Sequence, residues 1–144
     1  MKIPRPILLV LILLSVLGMI AILLSTRWGP WTYSDSTTYI VTARSLLEGE
    51  GLSVAAHPGS VERLIHHPPL YPLLLSAIGF CRVELLTAAR WLNVLLFGAT
   101  IFTTGAFTYR LLRSSWLAIS LSTLLLAILP LVDLFSGAMS EPLF

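Results

Sequence analysis

No charged residue occurs between Arg5 and Arg27, and within that interval Ile7 to Leu24 is interrupted only by Ser15 and Gly18. A helix rises about 1.5 Å per residue, so roughly 20 apolar residues cross a hydrocarbon core of about 30 Å. The segment therefore predicts a membrane-spanning helix over 7–25. A cleaved signal peptide is the competing reading, because Lys2 and Arg5 form a basic start. Its apolar core exceeds the roughly 7–15 residues of such signals, and Ser25-Thr26-Arg27-Trp28 has no small-x-small cleavage pattern. An uncleaved anchor fits better.

The rest of the chain follows the same solvent logic. It is 56% hydrophobic and 11% charged, against about 25% charged in soluble domains. Two further charge-free blocks, Trp91 to Tyr109 and Ser114 to Val132, predict crossings at 87–111 and 115–132, joined by a tight turn around Arg110 and Arg113. Basic residues near membrane helices stay on the cytoplasmic side. Lys2 and Arg5 thus predict a cytoplasmic N-terminus, and Arg110 and Arg113 agree; Arg27, Arg63, Arg82 and Arg90 weaken the bias without reversing it. Residues 26–86 become an extracytoplasmic loop. A net charge of +2, spread over helix ends, gives no nucleic-acid partner. With Cys81 as the sole cysteine, no intramolecular disulfide forms.

The expected fold is all-α and polytopic: three crossings, plus two interfacial helices in the loop at 36–48 and 69–80. In the first of these, Ile40, Ala43 and Leu47 recur at helical spacing, and Gly49-Glu50-Gly51 ends it, since glycine takes the left-handed conformation that closes a helix. The second, opened by Pro68-Pro69, is too short to span. At 141–144 a polar cap position, Glu141 and Pro142 predict the start of a fourth helix. The expectation is an N-terminal piece of a longer membrane protein, poorly stable and inactive by itself.

Asp35 leads the residues that can carry chemistry. It stands before a helical pattern, where Asp is a preferred N-cap. At a lipid–water boundary it is also placed to take a proton from an acceptor hydroxyl as a general base. The two roles are compatible, because a capping carboxylate is held by backbone N–H groups. His66 and His67 close the loop. Adjacent histidines lack the i, i+4 spacing of a helical metal pair, so no metal is assigned. Solvated imidazoles are the plain reading; contact between one imidazole, with Arg63, and an anionic lipid phosphate is the functional one. Glu141 is an additional acid candidate and Asp133 flanks it, although the helix dipole favours a carboxylate there without any function. Arg90 reads as a headgroup anchor. Trp28, Trp31 and Tyr33 read as an interface belt. With no Gly-rich phosphate loop, HExxH or CxxC, a soluble nucleotide-sugar enzyme is disfavoured and any donor is lipid-borne.

The order of these features resembles a known family. A basic N-terminus and membrane helix precede Asp35 with Tyr39 and Ala43, then Leu46-Leu47-Glu48-Gly49-Glu50-Gly51, His67-Pro68-Pro69-Leu70-Tyr71-Pro72 and Ser140-Glu141-Pro142-Leu143-Phe144. This resembles the GT-C superfamily of integral-membrane glycosyltransferases, in the branch related to protein O-mannosyltransferases and aminoarabinose transferases. The resemblance implies inverting transfer of a sugar from a polyprenyl-phosphate donor, at the outer face of a bacterial inner membrane. It implies Asp35 as the base and His67 as a phosphate contact where some relatives carry lysine, with His66, Arg63 and Tyr39 in the substrate set. Many relatives have a second acid after the catalytic Asp; Ser36 stands there, so a divalent metal lacks support. The implied partners are membrane lipid, the lipid-linked sugar and the remaining helices. The alternative class is a non-enzymatic polytopic protein, either a transport component or an inactive truncated remnant.

Overall fold

The computed structural model describes residues 3–57, 60–63 and 67–143, with 55–57 and 60–63 described in their backbone alone. Helices dominate: α1 (Arg5–Ser25), α2 (Ser34–Glu48), α3 (Leu70–Gly79), α4 (Leu85–Leu112), α5 (Ser115–Ala127) and α6 (Leu129–Ser136). A β-hairpin, β1 (Ser53–His57) and β2 (Ser60–Arg63), lies between α2 and α3, and a 3-10 turn occupies Glu141–Leu143.

At about 1.5 Å per residue α1 and α4 extend roughly 31 and 42 Å, and both are apolar enough to cross a membrane. Their outward faces carry exposed Leu9, Leu13, Leu24, Leu95, Phe107 and Leu111. Water would penalise such continuous apolar surface, whereas lipid would not.

The two long helices run antiparallel and pack closely. From α1, Ile7, Leu11, Ser15, Gly18 and Ile22 are buried at steps of three and four residues. They meet Val94, Phe97, Gly98, Ile101 and Gly105 of α4. The Ser15 hydroxyl donates to the Gly98 carbonyl, so small side chains let the two backbones meet. A Cβ added at Gly98 would stand 2.7 Å from Met19 Cγ, and one at Gly105 would collide with Leu11 and Ser122. Lipid tails are as apolar as leucine, so close packing and interhelical hydrogen bonds replace the hydrophobic drive between membrane helices.

The turn after α4 uses Arg113 in the left-handed region, φ 56, its N–H donating to the Tyr109 carbonyl at 2.9 Å. From α5, Ser122 donates to the Ile101 carbonyl at 3.2 Å.

The expected third crossing at 115–132 is not one straight helix. Helix α5 ends at Ala127, Ile128 is extended (φ −77, ψ 99), Pro130 sits in the first turn of α6, and the pair bends by 63°. In an unbroken helix Pro130 would lack the N–H its turn needs, and its ring would strike the Leu126 carbonyl. The 13 residues of α5 cover only about 20 Å. A third crossing exists only if the bent pair acts as one span.

The bend returns the chain to the end of the bundle that carries the long loop, here the loop end. There α2 and α3 pack on the start of α4 around Tyr39, Ala43, Tyr71, Leu75, Leu85, Ala88, Ala89 and Ala138. Gly49, at φ 84, closes α2. At ten residues α3 reaches about 15 Å and cannot cross. The hairpin, with Val54 opposite Glu62 and Ala55 opposite Val61, was not anticipated. Its sequence signals are the β-branched Val54 and Val61 around a Pro58-Gly59 turn dipeptide. The expected helix start at 141–144 is a 3-10 turn over Glu141–Leu143; Phe144 lies outside the described residues.

Candidate functional site at the loop end

Asp35 does not cap α2. The helix begins two residues earlier than a cap at Asp35 requires: Tyr33 is the extended N-cap residue (φ −106, ψ 176), and its N–H donates to the Ser36 hydroxyl at 3.0 Å. The reciprocal half of an N-terminal cap has thus passed to Ser36. Asp35 becomes the second helical residue, half-buried, and accepts a 3.3 Å hydrogen bond from the Ser34 hydroxyl. The positive end of the helix dipole still favours its charge, while the carboxylate is released from the capping duty.

One turn along the same face lies Tyr39, 2% exposed. Its ring meets His67 and Tyr71 edge-on, each at 5.4 Å between centroids. Its hydroxyl shares a 2.7 Å hydrogen bond with Ser140. Residues from α2, the start of α3 and the segment after α6 therefore converge on one phenol.

The segment after α6 is held in place by several further contacts. Trp31 N–H donates to the Ser136 carbonyl and Ala138 N–H donates to the Trp31 carbonyl, both at 2.9 Å. The Asn93 amide donates to the Gly137 carbonyl, and Ser136 donates to Ser25 at 2.9 Å. These bonds carry Glu141, which is exposed, to the same end as Asp35.

Beneath Tyr39 lie two unsatisfied polar atoms, the Tyr71 hydroxyl and Asn93 Oδ1; the Thr42 hydroxyl is a third buried atom without a partner. Burial pushes the Tyr71 phenol well above the ordinary tyrosine range. The nearby Asn93 side chain counteracts this in part, and the charges of Glu141 and Tyr39 reinforce it. Tyr71 is thus a neutral group at any physiological pH.

Two other expectations change. Arg90 is not free to anchor headgroups: its Nε donates to Thr26 Oγ1 at 3.1 Å and its Nη2 to the Leu23 carbonyl at 3.0 Å. A guanidinium at the carbonyl end of α1 satisfies acceptors that the helix leaves open, so Arg90 fastens α4 to α1. Asp133, expected to flank Glu141, lines a cleft of about 220 Å³ with Trp31 and Tyr33. His66 lies outside the described residues, and Arg63 is described in its backbone alone. Among the described residues no three His, Cys, Asp or Glu side chains gather as a metal site. A second cleft, of about 310 Å³, lies on the far face of α2 from Tyr39 and is lined in part by Ser36, Thr37, Arg44 and Glu84.

Ser140, Tyr71 and Asn93 were not singled out from sequence. Asn93 alone carried a usable signal, as an amide inside a charge-free apolar block, where a polar side chain needs a partner on another element.

Set beside models of protein families, curated proteins and solved structures, the chain matches none.

Proposed function

We propose that the loop end of this chain serves glycosyl transfer from a polyprenyl-phosphate sugar, with Asp35 as the base. The observation that carries the reading is the convergence on Tyr39. Three stretches far apart in sequence meet there: Tyr39, one turn after Asp35, contacts His67 and Ser140, beside membrane-length helices. Asp35, half-buried at its rim, takes the proton of an acceptor hydroxyl as that oxygen attacks the anomeric carbon. The bond from that carbon to the phosphate oxygen breaks, and the configuration inverts. The negative charge left on the polyprenyl phosphate is met by His67, with His66 and Arg63 as further contacts. Tyr39, buried beneath the site, positions His67 and the Ser140-Glu141 segment, and Glu141 is a second acid within the same end.

This reading places the loop end on the extracytoplasmic side of a bacterial inner membrane. Its support is that Arg5, Arg110 and Arg113 all lie at the opposite end. Cys81, exposed and the only cysteine, reports on this directly. A membrane-impermeant maleimide should label it in intact spheroplasts.

The decisive experiment places Asp35→Asn in the whole gene product and assays membranes carrying it for transfer of labelled sugar from polyprenyl-phosphate hexose. The loss of a general base corresponds to a fall of about 10²–10⁴-fold, with photocrosslinking of a polyprenyl-phosphate probe retained. Transfer at the parent rate would remove the base and, with it, the mechanism.

A further inference from the structure

The end of the bundle opposite the loop holds a feature that glycosyl transfer does not use. A cleft of about 670 Å³ opens between the start of α1 and the last turns of α4, lined by Ile3, Leu8, Phe102, Thr103, Ala106, Phe107 and Arg110. Its volume falls within the roughly 300–1,000 Å³ of small-molecule and lipid sites. The α4 residues recur at steps of one, three and four and form one strip along the helix. The Thr103 hydroxyl is bonded to its own helix, donating to the Ala99 carbonyl at 2.6 Å. The walls are therefore effectively apolar, and the Arg110 guanidinium stands at the rim.

Charge decides what fits there. All seven acidic residues of the chain (Asp35, Glu48, Glu50, Glu62, Glu84, Asp133 and Glu141) belong to segments of the loop end. The opposite end carries Arg5, Arg110 and Arg113, all exposed. An apolar furrow of chain width that opens onto uncompensated cations is complementary to an acyl chain under an anionic phosphate. It does not match a neutral apolar helix, which would leave Arg110 without a partner in lipid.

We infer that this cleft binds an anionic phospholipid of the bilayer, one acyl chain lying between Leu8 and Phe107 and the phosphate paired with Arg110. The lipid would cover the side of the α1–α4 junction that Ile3, Leu8 and Phe107 line.

The test is native mass spectrometry of the detergent-purified chain titrated with phosphatidylglycerol, phosphatidylcholine and polyprenyl phosphate. Phosphatidylglycerol is expected to be retained in preference to phosphatidylcholine. Arg110→Gln should reduce that preference about fivefold, the worth of one arginine near an anionic surface. Ala106→Trp, which fills the furrow, should reduce retention of both phospholipids. Arg110 is exposed, so its replacement leaves the helix packing intact. Equal retention of the two phospholipids, an unchanged preference in Arg110→Gln, or tighter retention of polyprenyl phosphate than phosphatidylglycerol would overturn the inference. So would a dimer of the chain that excludes lipid from the cleft.

Discussion

Removing the hydroxyls of Tyr39 and Ser140 separately and together tests whether the site is assembled as described. The pair is buried, with Tyr39 2% and Ser140 4% exposed, and among the described residues each hydroxyl has the other as its side-chain partner. A buried neutral hydrogen bond contributes about 0.5–1.5 kcal/mol net, and an orphaned partner costs about 1–3 kcal/mol. The two single substitutions should differ. In Ser140→Ala the Tyr39 phenol is orphaned, and the rings of His67 and Tyr71 keep it from swinging to another acceptor, so the cost should be about 2 kcal/mol. In Tyr39→Phe the freed serine hydroxyl turns about its single side-chain torsion to a nearby backbone carbonyl, and the cost should be about 1 kcal/mol. The double variant leaves no orphan and should match Tyr39→Phe, giving a coupling of about 1–2 kcal/mol. Unfolding in mixed detergent, followed by tryptophan fluorescence, supplies the four free energies. Additivity within about 0.3 kcal/mol, or a milder effect in Ser140→Ala than in Tyr39→Phe, would refute the convergence and with it the site.

Other outcomes follow from separate parts of the structure. Gly105→Val should destabilise by about 1–3 kcal/mol in the same assay, through collision with Leu11 and Ser122. Tyr71→Phe removes a buried hydroxyl without a partner and should leave stability unchanged or raise it by up to about 1 kcal/mol. In a spectroscopic alkaline titration of the parent protein the Tyr71 phenol should resist ionisation, and Tyr71→Phe should reduce the resistant fraction. At Glu84 slight burial acts to raise the carboxyl's pKa but is outweighed by the N–H groups of Leu86 and Thr87, at 2.9 and 2.7 Å, helped by Arg44, so the value is lowered. A lowered folded-state value means stability that is present at neutral pH and lost as the pH falls below the ordinary glutamate range near ~4.3. Glu84→Gln should flatten that acid limb of the melting profile.

Much of the architecture was legible because membrane helices announce themselves by length. The boundaries expected at 7–25, 36–48, 69–80 and 87–111 fall within two residues of the helices observed. The third expected crossing, 115–132, is broken at Pro130 into two helices bent by 63° and crosses only if they act as one span; hydropathy does not register a missing N–H, so the block reads as continuous. The hairpin was passed over as a polar segment. The candidate site was legible only in part. Asp35, Tyr39, His67 and Glu141 are marked by residue type and position, while Ser140 reads as a cap and Tyr71 stands only within the His67–Pro72 motif. Asp35 was also given a bond it does not make, because nothing in the local pattern distinguishes a helix starting at Ser34 from one starting at Ser36.

By itself the sequence determined which segments can sit in lipid, since that depends only on the number of consecutive residues without charge. It also determined that all seven acids fall in the segments of the loop end, and that glycine closes α2. Tertiary structure decided which faces meet. In water a helix reveals its buried side by its apolar stripe, but in lipid every side of α1 is apolar, and periodicity loses that information. The choice fell to small residues and hydroxyls: Ser15 against Gly98, Gly105 against Leu11, Arg90 across to Thr26, and Tyr39 to Ser140, 101 positions away. Such contacts depend on how closely two backbones approach, and no single helix encodes that distance.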